Sequence, residues 1–236
     1  MLSPALPLLP HPCLPCLPAA LPAATAARWA FGIWGLIFLL EGAGVVYALL
    51  PAGYDPDGWK QRFVHSVGPG WGASWAAAAA WQLAFRLQTP GGMWLALACI
   101  SAALAAMAYA LAGLYRLRRQ YGGAGSLLLY AVYFLPTSIN AAWLSVATGV
   151  AALIAALPHY PAASAELVAA SAGVAAAAAA AGLWVVLQYR DTTYGLTLVW
   201  ALVAVYEKSE APLVRHAALA GVAAMCVASL FSGEGR

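Results

Sequence analysis

The hydrophobic pattern divides most of the chain into long apolar runs separated by short polar or charged stretches. The runs cover approximately residues 29–50, 70–87, 93–115, 126–157, 165–188, 192–207 and 213–231. About 20 helical residues cross the hydrocarbon of a bilayer, and these runs lack the alternation of membrane-barrel strands. We therefore predict an all-α fold, a multi-pass transmembrane helical bundle of about seven spans over residues 28–231.

The runs differ in ways that predict their places in the bundle. The fourth is longer than a span requires and contains Pro136, which predicts a kink or a tilt. The sixth and seventh are short and are the weakest span candidates. Alanine tracts at 76–80 and 175–181 favour helix, and their small side chains predict positions between other helices.

The two ends of the chain do not follow this pattern. Repeated prolines prevent a continuous helix in residues 1–27, because proline lacks the amide donor. We interpret this segment as a proline-rich disordered tail or a targeting leader, and residues 232–236 as a short tail. The prolines around Cys13 and Cys16 disfavour a redox or metal role for that C-x-x-C pair.

Composition and charge agree with a membrane protein. The chain is 64% hydrophobic and 8% charged, whereas soluble domains carry about 25% charged residues, so the lipid bilayer is the predicted surrounding. No basic cluster is interleaved with aromatic residues, which argues against nucleic acid as a partner. The cluster "RLRR" at 116–119 predicts that its side of the bundle is cytosolic, or the organellar equivalent. The identity of the membrane stays open.

One carboxylate, Glu41, lies inside the first apolar run. It shares a helical stripe with Phe31, Trp34, Phe38 and Val45. Because a charge at mid-bilayer costs several kcal/mol, we predict that Glu41 faces the bundle interior and that Phe31, Trp34 and Phe38 face it too. The carboxylate would then tie two helices together by a hydrogen bond, or line a ligand pocket or a proton path.

Two further runs carry a face that combines aromatic rings with a polar group. These faces are Trp75, Ala78, Gln82 and Phe85 in the second run and Pro136, Asn140, Trp143 and Ala147 in the fourth. A tryptophan in lipid must still place its N–H. We therefore predict that the deep tryptophans Trp34, Trp81, Trp143 and Trp200 prefer the protein interior or a cavity, with simple helix packing as the alternative to a cavity.

The remaining chemistry does not form a catalytic or metal-binding pattern. The histidines are scattered at predicted membrane boundaries, and no nucleophile–base pair or metal-ligand spacing is present. We therefore predict that the protein is not an enzyme and requires no cofactor.

Several segments resemble the TspO/MBR family of translocator and tryptophan-rich sensory proteins. "WAFGIWGLIFLLEGAGVVY" resembles its W-x-F-x-x-W-x-x-x-Y helix, and "WAAAAAWQLAFRL" is similar to its next helix. "PTSINAAWLSVATGV" and "RDTTYGLTLVWALVAVY" resemble segments of the longer tryptophan-rich branch. The resemblance covers residues 28–207. It departs from the family in the missing preceding helix, in Ala78 and Ala151 where asparagines are frequent, and in up to two helices beyond the five-helix core.

The resemblance implies a bundle that binds planar or polycyclic ligands, such as a porphyrin or a sterol, for sensing or translocation. It also implies homodimers. Residue patterns and resemblance together give the ligand-binding candidates Phe31, Trp34, Phe38, Glu41, Trp75, Trp81, Gln82, Asn140, Trp143, Tyr194 and Trp200. The alternatives are a proton-coupled transporter of a small solute that uses Glu41, and a structural subunit of a membrane complex.

Overall fold

The computed structural model describes residues 27–51, 58–121, 127–160 and 164–233. These residues form no strand. The long helices are α1 (Ile33–Leu49), α2 (Trp59–Arg86), α3 (Pro90–Tyr121), α4 (Leu135–Ala156), α5 (Ala165–Tyr189), α6 (Thr192–Lys208) and α7 (Pro212–Gly233). The all-α prediction is therefore confirmed. The predicted tails, apart from Ala27 and the last turn of α7, and the Cys13–Cys16 motif lie outside the described residues.

Five helical segments are long and apolar enough to cross a membrane. They are Arg28–Leu49, Pro90–Gln120, Leu127–His159, Ala165–Tyr189 and Pro212–Phe231. The segment of α7 is among them although its apolar run is short. Helix α6 has only 17 residues, and the first turns of α2 carry polar residues of the stretch "WKQRFVHS", which lowers its hydropathy. The chain is thus an integral, multi-pass membrane protein.

Irregular helical turns precede α1, which carries Glu41, and α4, which bonds to it. A 3₁₀ turn, Arg28–Gly32, precedes α1. A π-helical turn, Tyr130–Phe134, leads into α4 directly before Pro136. Proline has no amide hydrogen to donate to the carbonyl four residues earlier, that of Val132, and the irregular backbone occurs at that carbonyl. The structure thus has a π turn next to Pro136, and the predicted kink or tilt stays a prediction.

Helix α4 is the centre of the bundle. Every residue from 136 to 144 is buried. Helices α2 and α3 pack closely on each other, α5, α6 and α7 form a second closely packed group, and α1 contacts α4 and the π turn more than it contacts α2. Close approach of α2 to α3 depends on Gly70, where an added Cβ would lie 2.6 Å from the Ala106 carbonyl oxygen. The alanine tract at 76–80 does not provide this contact. It is exposed or half-buried, so its predicted position between helices is wrong.

The inward face of α1 also differs from the predicted stripe. Its buried residues are Ile33, Ile37, Glu41 and Gly44. Glu41 faces the interior as predicted, but Phe31 is 50% and Phe38 58% exposed, so the prediction that both face the interior with it is wrong. The reason for Phe38 is geometric. Ile37 precedes Glu41 by four residues and lies on the same side of the helix, whereas Phe38 precedes it by three residues and lies at the edge of that face.

A second buried carboxylate, Asp191, joins the helices at the opposite end of α4 from the α4–α5 connection. It lies between α5 and α6, where Tyr115 and Ser138 each donate a hydroxyl to its Oδ2 at 2.7 Å. The Tyr194 N–H donates to Oδ1 at 3.0 Å and so caps α6. Burial raises the pKa of Asp191, and these hydrogen bonds and the Arg118 charge oppose that rise. Three helices and one interhelical link are thereby joined at one buried group.

Candidate functional site

Glu41 joins α1 to two neighbouring helices. Its side chain is only 1% exposed. Oε2 accepts a hydrogen bond from the Trp75 indole N–H of α2 at 2.6 Å, and Oε1 accepts one from the Asn140 amide of α4 at 2.7 Å. The prediction that this carboxylate ties helices together is confirmed, and it ties three rather than two.

The same carboxylate lines a cavity between α1, α2 and α4. The cavity has a volume of about 610 Å³, within the range of roughly 300–1,000 Å³ that is usual for small-molecule sites. Its lining consists of Trp34, Phe38, Glu41, Gly42, Ser74, Trp75, Ala78, Ala79, Trp81, Gln82, Asn140 and Leu144. The predicted aromatic and polar faces of α1 and α2 therefore meet around one space.

The cavity has a buried floor and an exposed rim. Asn140 and Leu144 of α4 are buried and form the floor. Phe38 of α1 is 58% and Trp75 of α2 38% exposed, and Gln82 is exposed as well, so these residues form the rim. The mouth therefore lies between α1 and α2 and extends along α2 from its middle, at Trp75, to its last turns, at Gln82.

Aromatic rings supply most of the wall. Trp34 and Phe38 stack one helical turn apart, with ring centroids 5.5 Å apart and an interplanar angle of 24°. On α2, the Trp81 ring lies 5.8 Å from that of Phe85. Ring pairs of this kind fix one another's orientation, so the wall offers flat apolar surface in defined positions.

The polar end of the cavity contains mainly hydrogen-bond acceptors. Glu41 is the only acidic or basic side chain among the described residues that line the cavity. The Asn140 Oδ1 atom is buried and accepts no hydrogen bond. In the described part of the chain, no group of three or more His, Cys, Asp or Glu residues could hold a metal ion. The site is thus an apolar pocket with one small acidic end.

Comparison with known proteins identifies the family. A family model described as TSPO-like protein matches residues 22–231. The chain belongs to this TSPO-like family. No curated protein and no solved structure is significantly similar to it. The match confirms the resemblance drawn from the aromatic motifs and extends it beyond residue 207 to the end of α7.

Two of the predicted site residues, Phe31 and Trp143, lie beside the cavity of this TSPO-like protein rather than in its lining. The Trp143 side chain is 3% exposed, and its ring meets that of Phe31 edge-on at 5.6 Å and that of Trp34 at 6.4 Å. Trp143 therefore packs against the ring of Trp34 without lining the cavity itself. Its indole N–H is buried without a hydrogen-bond partner.

The other two, Tyr194 and Trp200, lie on α6, which packs on α4 but does not line the cavity. Tyr194 is buried in the core of the bundle. Trp200 is 43% exposed and donates its indole N–H to the Ala30 carbonyl at 3.2 Å, so the prediction that it prefers the interior is wrong. The family resemblance proposed both positions, but the polar groups of α6 contact other parts of the bundle rather than the cavity: the Thr193 hydroxyl, for example, bonds to that of Tyr130 at 2.9 Å.

Sequence reasoning did not select four lining residues, Gly42, Ser74, Ala79 and Leu144. Ala78 was on the predicted face of α2 but was not a ligand-binding candidate. Ser74, Ala78 and Gln82 are spaced four residues apart, so extending the predicted face of α2 by one turn would have found Ser74. Leu144 follows Asn140 by the same interval. Small side chains carry no chemical signal by themselves, although here they create the empty volume.

Proposed function

We propose that this TSPO-like membrane protein binds a hydrophobic planar or polycyclic ligand, tetrapyrrole- or sterol-like, for sensing or translocation. The ligand would lie in the cavity between α1, α2 and α4. The observation that carries the proposal is the cavity itself: about 610 Å³, lined by aromatic rings and closed at one end by Glu41 and Asn140. Membership of the TSPO-like family supports it.

The lining suits a flat apolar ring system. Trp34 and Trp81 supply ring surface on α1 and α2, and Ala78 and Ala79 leave space between them. Stacking on such surfaces adds about 0.5–1.5 kcal/mol per ring pair to the free energy gained by burying the ligand's apolar area. The polar end would then set the orientation of the ligand, as a few convergent polar groups do in mostly apolar sites.

A cavity-filling variant tests the proposal. We expect Ala78→Leu to weaken binding of protoporphyrin and of a fluorescent sterol by about tenfold or more, equivalent to about 1.4 kcal/mol, because the larger side chain occupies the space the ligand needs. Binding is measured by quenching of, or energy transfer from, tryptophan fluorescence in lipid nanodiscs. Ala80→Leu, two residues away on the exposed side of α2, is the matched control and should bind like the native protein.

Two results would contradict the proposal. One is quenching that does not saturate in the native protein, which indicates partition of the probe into lipid. The other is saturable binding that Ala78→Leu and Ala80→Leu weaken equally or not at all, since the ligand would then lie elsewhere.

A further inference from the structure

We infer that the cavity selects a cationic ligand: a flat apolar ring system that carries an ammonium group, which pairs with the Glu41 carboxylate. The inference rests on the proposed function, because it assigns a charge and a polar group to the occupant of that same cavity. Among planar or polycyclic ligands that fit the cavity, it ranks those that carry an amine above otherwise similar ligands that are neutral or carry a carboxylate.

The first argument is charge. The groups that donate to Glu41 in the described structure are the Trp75 indole and the Asn140 amide, and both are neutral. The other described lining residues carry no charge. A buried carboxylate is strongly stabilised by a positive partner, and here the protein supplies hydrogen bonds but no cation. A cationic ligand would supply the missing charge, whereas an anionic ligand would place a second negative charge beside the first.

The second argument is hydrogen bonding. After its bonds to Trp75 and Asn140, each Glu41 oxygen retains capacity for a further donor. The Asn140 Oδ1 atom accepts none, but it is itself buried. The acceptor capacity that borders the cavity is therefore that of the Glu41 carboxylate. An ammonium group offers only donors and matches this capacity, whereas a ligand carboxylate would add acceptors to a site that already has unfilled ones.

The third argument is the position of the rings. The Trp75 indole nitrogen lies 2.6 Å from Oε2 of Glu41, so the edge of that ring borders the carboxylate. Trp34 and Trp81 complete the aromatic lining. A cation is attracted by the face of an indole ring and not by its edge, so this contribution comes from Trp34 and Trp81 where the ligand's ammonium group lies over their rings.

Three pyrene probes with one shared ring and different charges test the inference. They are 1-pyrenemethylamine, which is cationic at neutral pH, 1-pyrenemethanol and 1-pyrenecarboxylate. Binding is followed by energy transfer from tryptophan to pyrene in nanodiscs of zwitterionic lipid, with empty nanodiscs correcting for partition. We expect the amine to bind about tenfold or more tightly than the alcohol and the carboxylate to bind most weakly.

Matched substitutions show whether Glu41 causes this order. Glu41→Gln should weaken binding of the amine far more than binding of the alcohol and so remove the preference for the amine. The control is Glu207→Gln, because Glu207 is an exposed carboxylate that also accepts an indole N–H, from Trp29 at 2.7 Å, and it should retain the preference. Gln82→Lys is a second variant: a cation at the exposed rim should weaken binding of the amine more than that of the alcohol, without changing Glu41.

The outcomes distinguish the inference from the proposed function. Equal, saturable affinities for the three probes, or a preference for the amine that survives Glu41→Gln, overturn the inference. In that case the proposed function stands as long as Ala78→Leu weakens all three probes. If no pyrene probe binds saturably but protoporphyrin or the sterol does, the inference alone is overturned, and if none of these ligands binds saturably, the proposed function fails with it.

Discussion

At the scale of single residues, two buried carboxylates have different surroundings. Asp191 receives two hydroxyls and a backbone N–H, which join α3, α4 and the start of α6. Glu41 receives two donors and borders a cavity that contains an unpartnered acceptor, the Asn140 oxygen. The first arrangement stabilises the bundle, and the second also places a carboxylate at the edge of an empty space.

Replacement of Asp191 should therefore reduce stability without changing ligand preference. We expect Asp191→Ala to lower the free energy of unfolding by about 3 kcal/mol, because buried donors lose their acceptor and α6 loses its N-cap. Thermal unfolding in detergent micelles measures the change. Glu210→Ala, which removes an exposed carboxylate near the start of α7, is the control, and an equal loss in both variants would refute the role of Asp191.

At the scale of elements, the position of α1 depends on a glycine. Gly44 lies against the π turn, where an added Cβ would come within 2.5 Å of the Val132 carbonyl oxygen and 2.9 Å of the Trp71 ring. The Tyr133 hydroxyl also donates to the Gly44 carbonyl at 3.2 Å. Trp71 cannot easily move, since its indole N–H is bonded to Thr137 at 2.9 Å. Helix α1 is thus seated on a rigid surface.

Gly44→Ala should consequently displace α1 and destabilise the protein by about 1–3 kcal/mol, the usual cost of overpacking a core. Gly35→Ala is the matched control on the same helix, since nothing lies within 4 Å of its added Cβ. That change should be neutral or stabilise the protein by up to about 1 kcal/mol through helix propensity. Comparable unfolding temperatures for the two variants would show that the contact at Gly44 is not restrictive.

At the scale of the whole molecule, charge distinguishes the two ends of the bundle. The described basic residues of one end are Lys60, Arg62, Arg116, Arg118, Arg119 and Arg190. The helix order brings them together, and Arg118 donates to the Tyr189 carbonyl at 3.4 Å across α3 and α5. At the other end, Arg28, Arg86, Lys208 and Arg215 are accompanied by the acidic residues Glu166, Glu207 and Glu210. The excess of positive charge at the first end favours the cytosolic side.

Cysteine labelling tests this orientation. In a variant whose four native cysteines are replaced by alanine, Arg119→Cys and Glu210→Cys place single thiols at opposite ends. A membrane-impermeant maleimide added to intact bacterial cells that express the protein should label Glu210→Cys, and Arg119→Cys only after lysis. The reverse pattern would invert the orientation.

Much of the bundle follows from apolar runs, because lipid requires each span to satisfy its own backbone. The apolar runs do not include the first eleven residues of α2, 59–69, because polar and apolar residues are mixed in this part of the helix, which begins at the basic end. Within the site, Glu41 is predictable because a lone carboxylate in lipid must turn inward. The exposure of Phe38 is not predictable from the sequence, because tertiary packing decides whether the residue three positions or the residue four positions before Glu41 faces inward. Tyr194 and Trp200 show the limit of resemblance alone.

The position of the rim between α1 and α2 also determines whether the concentration of a ligand in the membrane or in the aqueous solution controls its binding. Phe38, at the centre of the span Arg28–Leu49, and Trp75, near the middle of α2, border the mouth, so we expect the acyl-chain phase rather than water to surround it. A lipophilic compound first dissolves in that phase, where it can be enriched many-fold over the aqueous solution. Occupancy then follows the mole fraction of the compound per lipid, and an apparent dissociation constant expressed per volume of buffer will rise as more membrane is added.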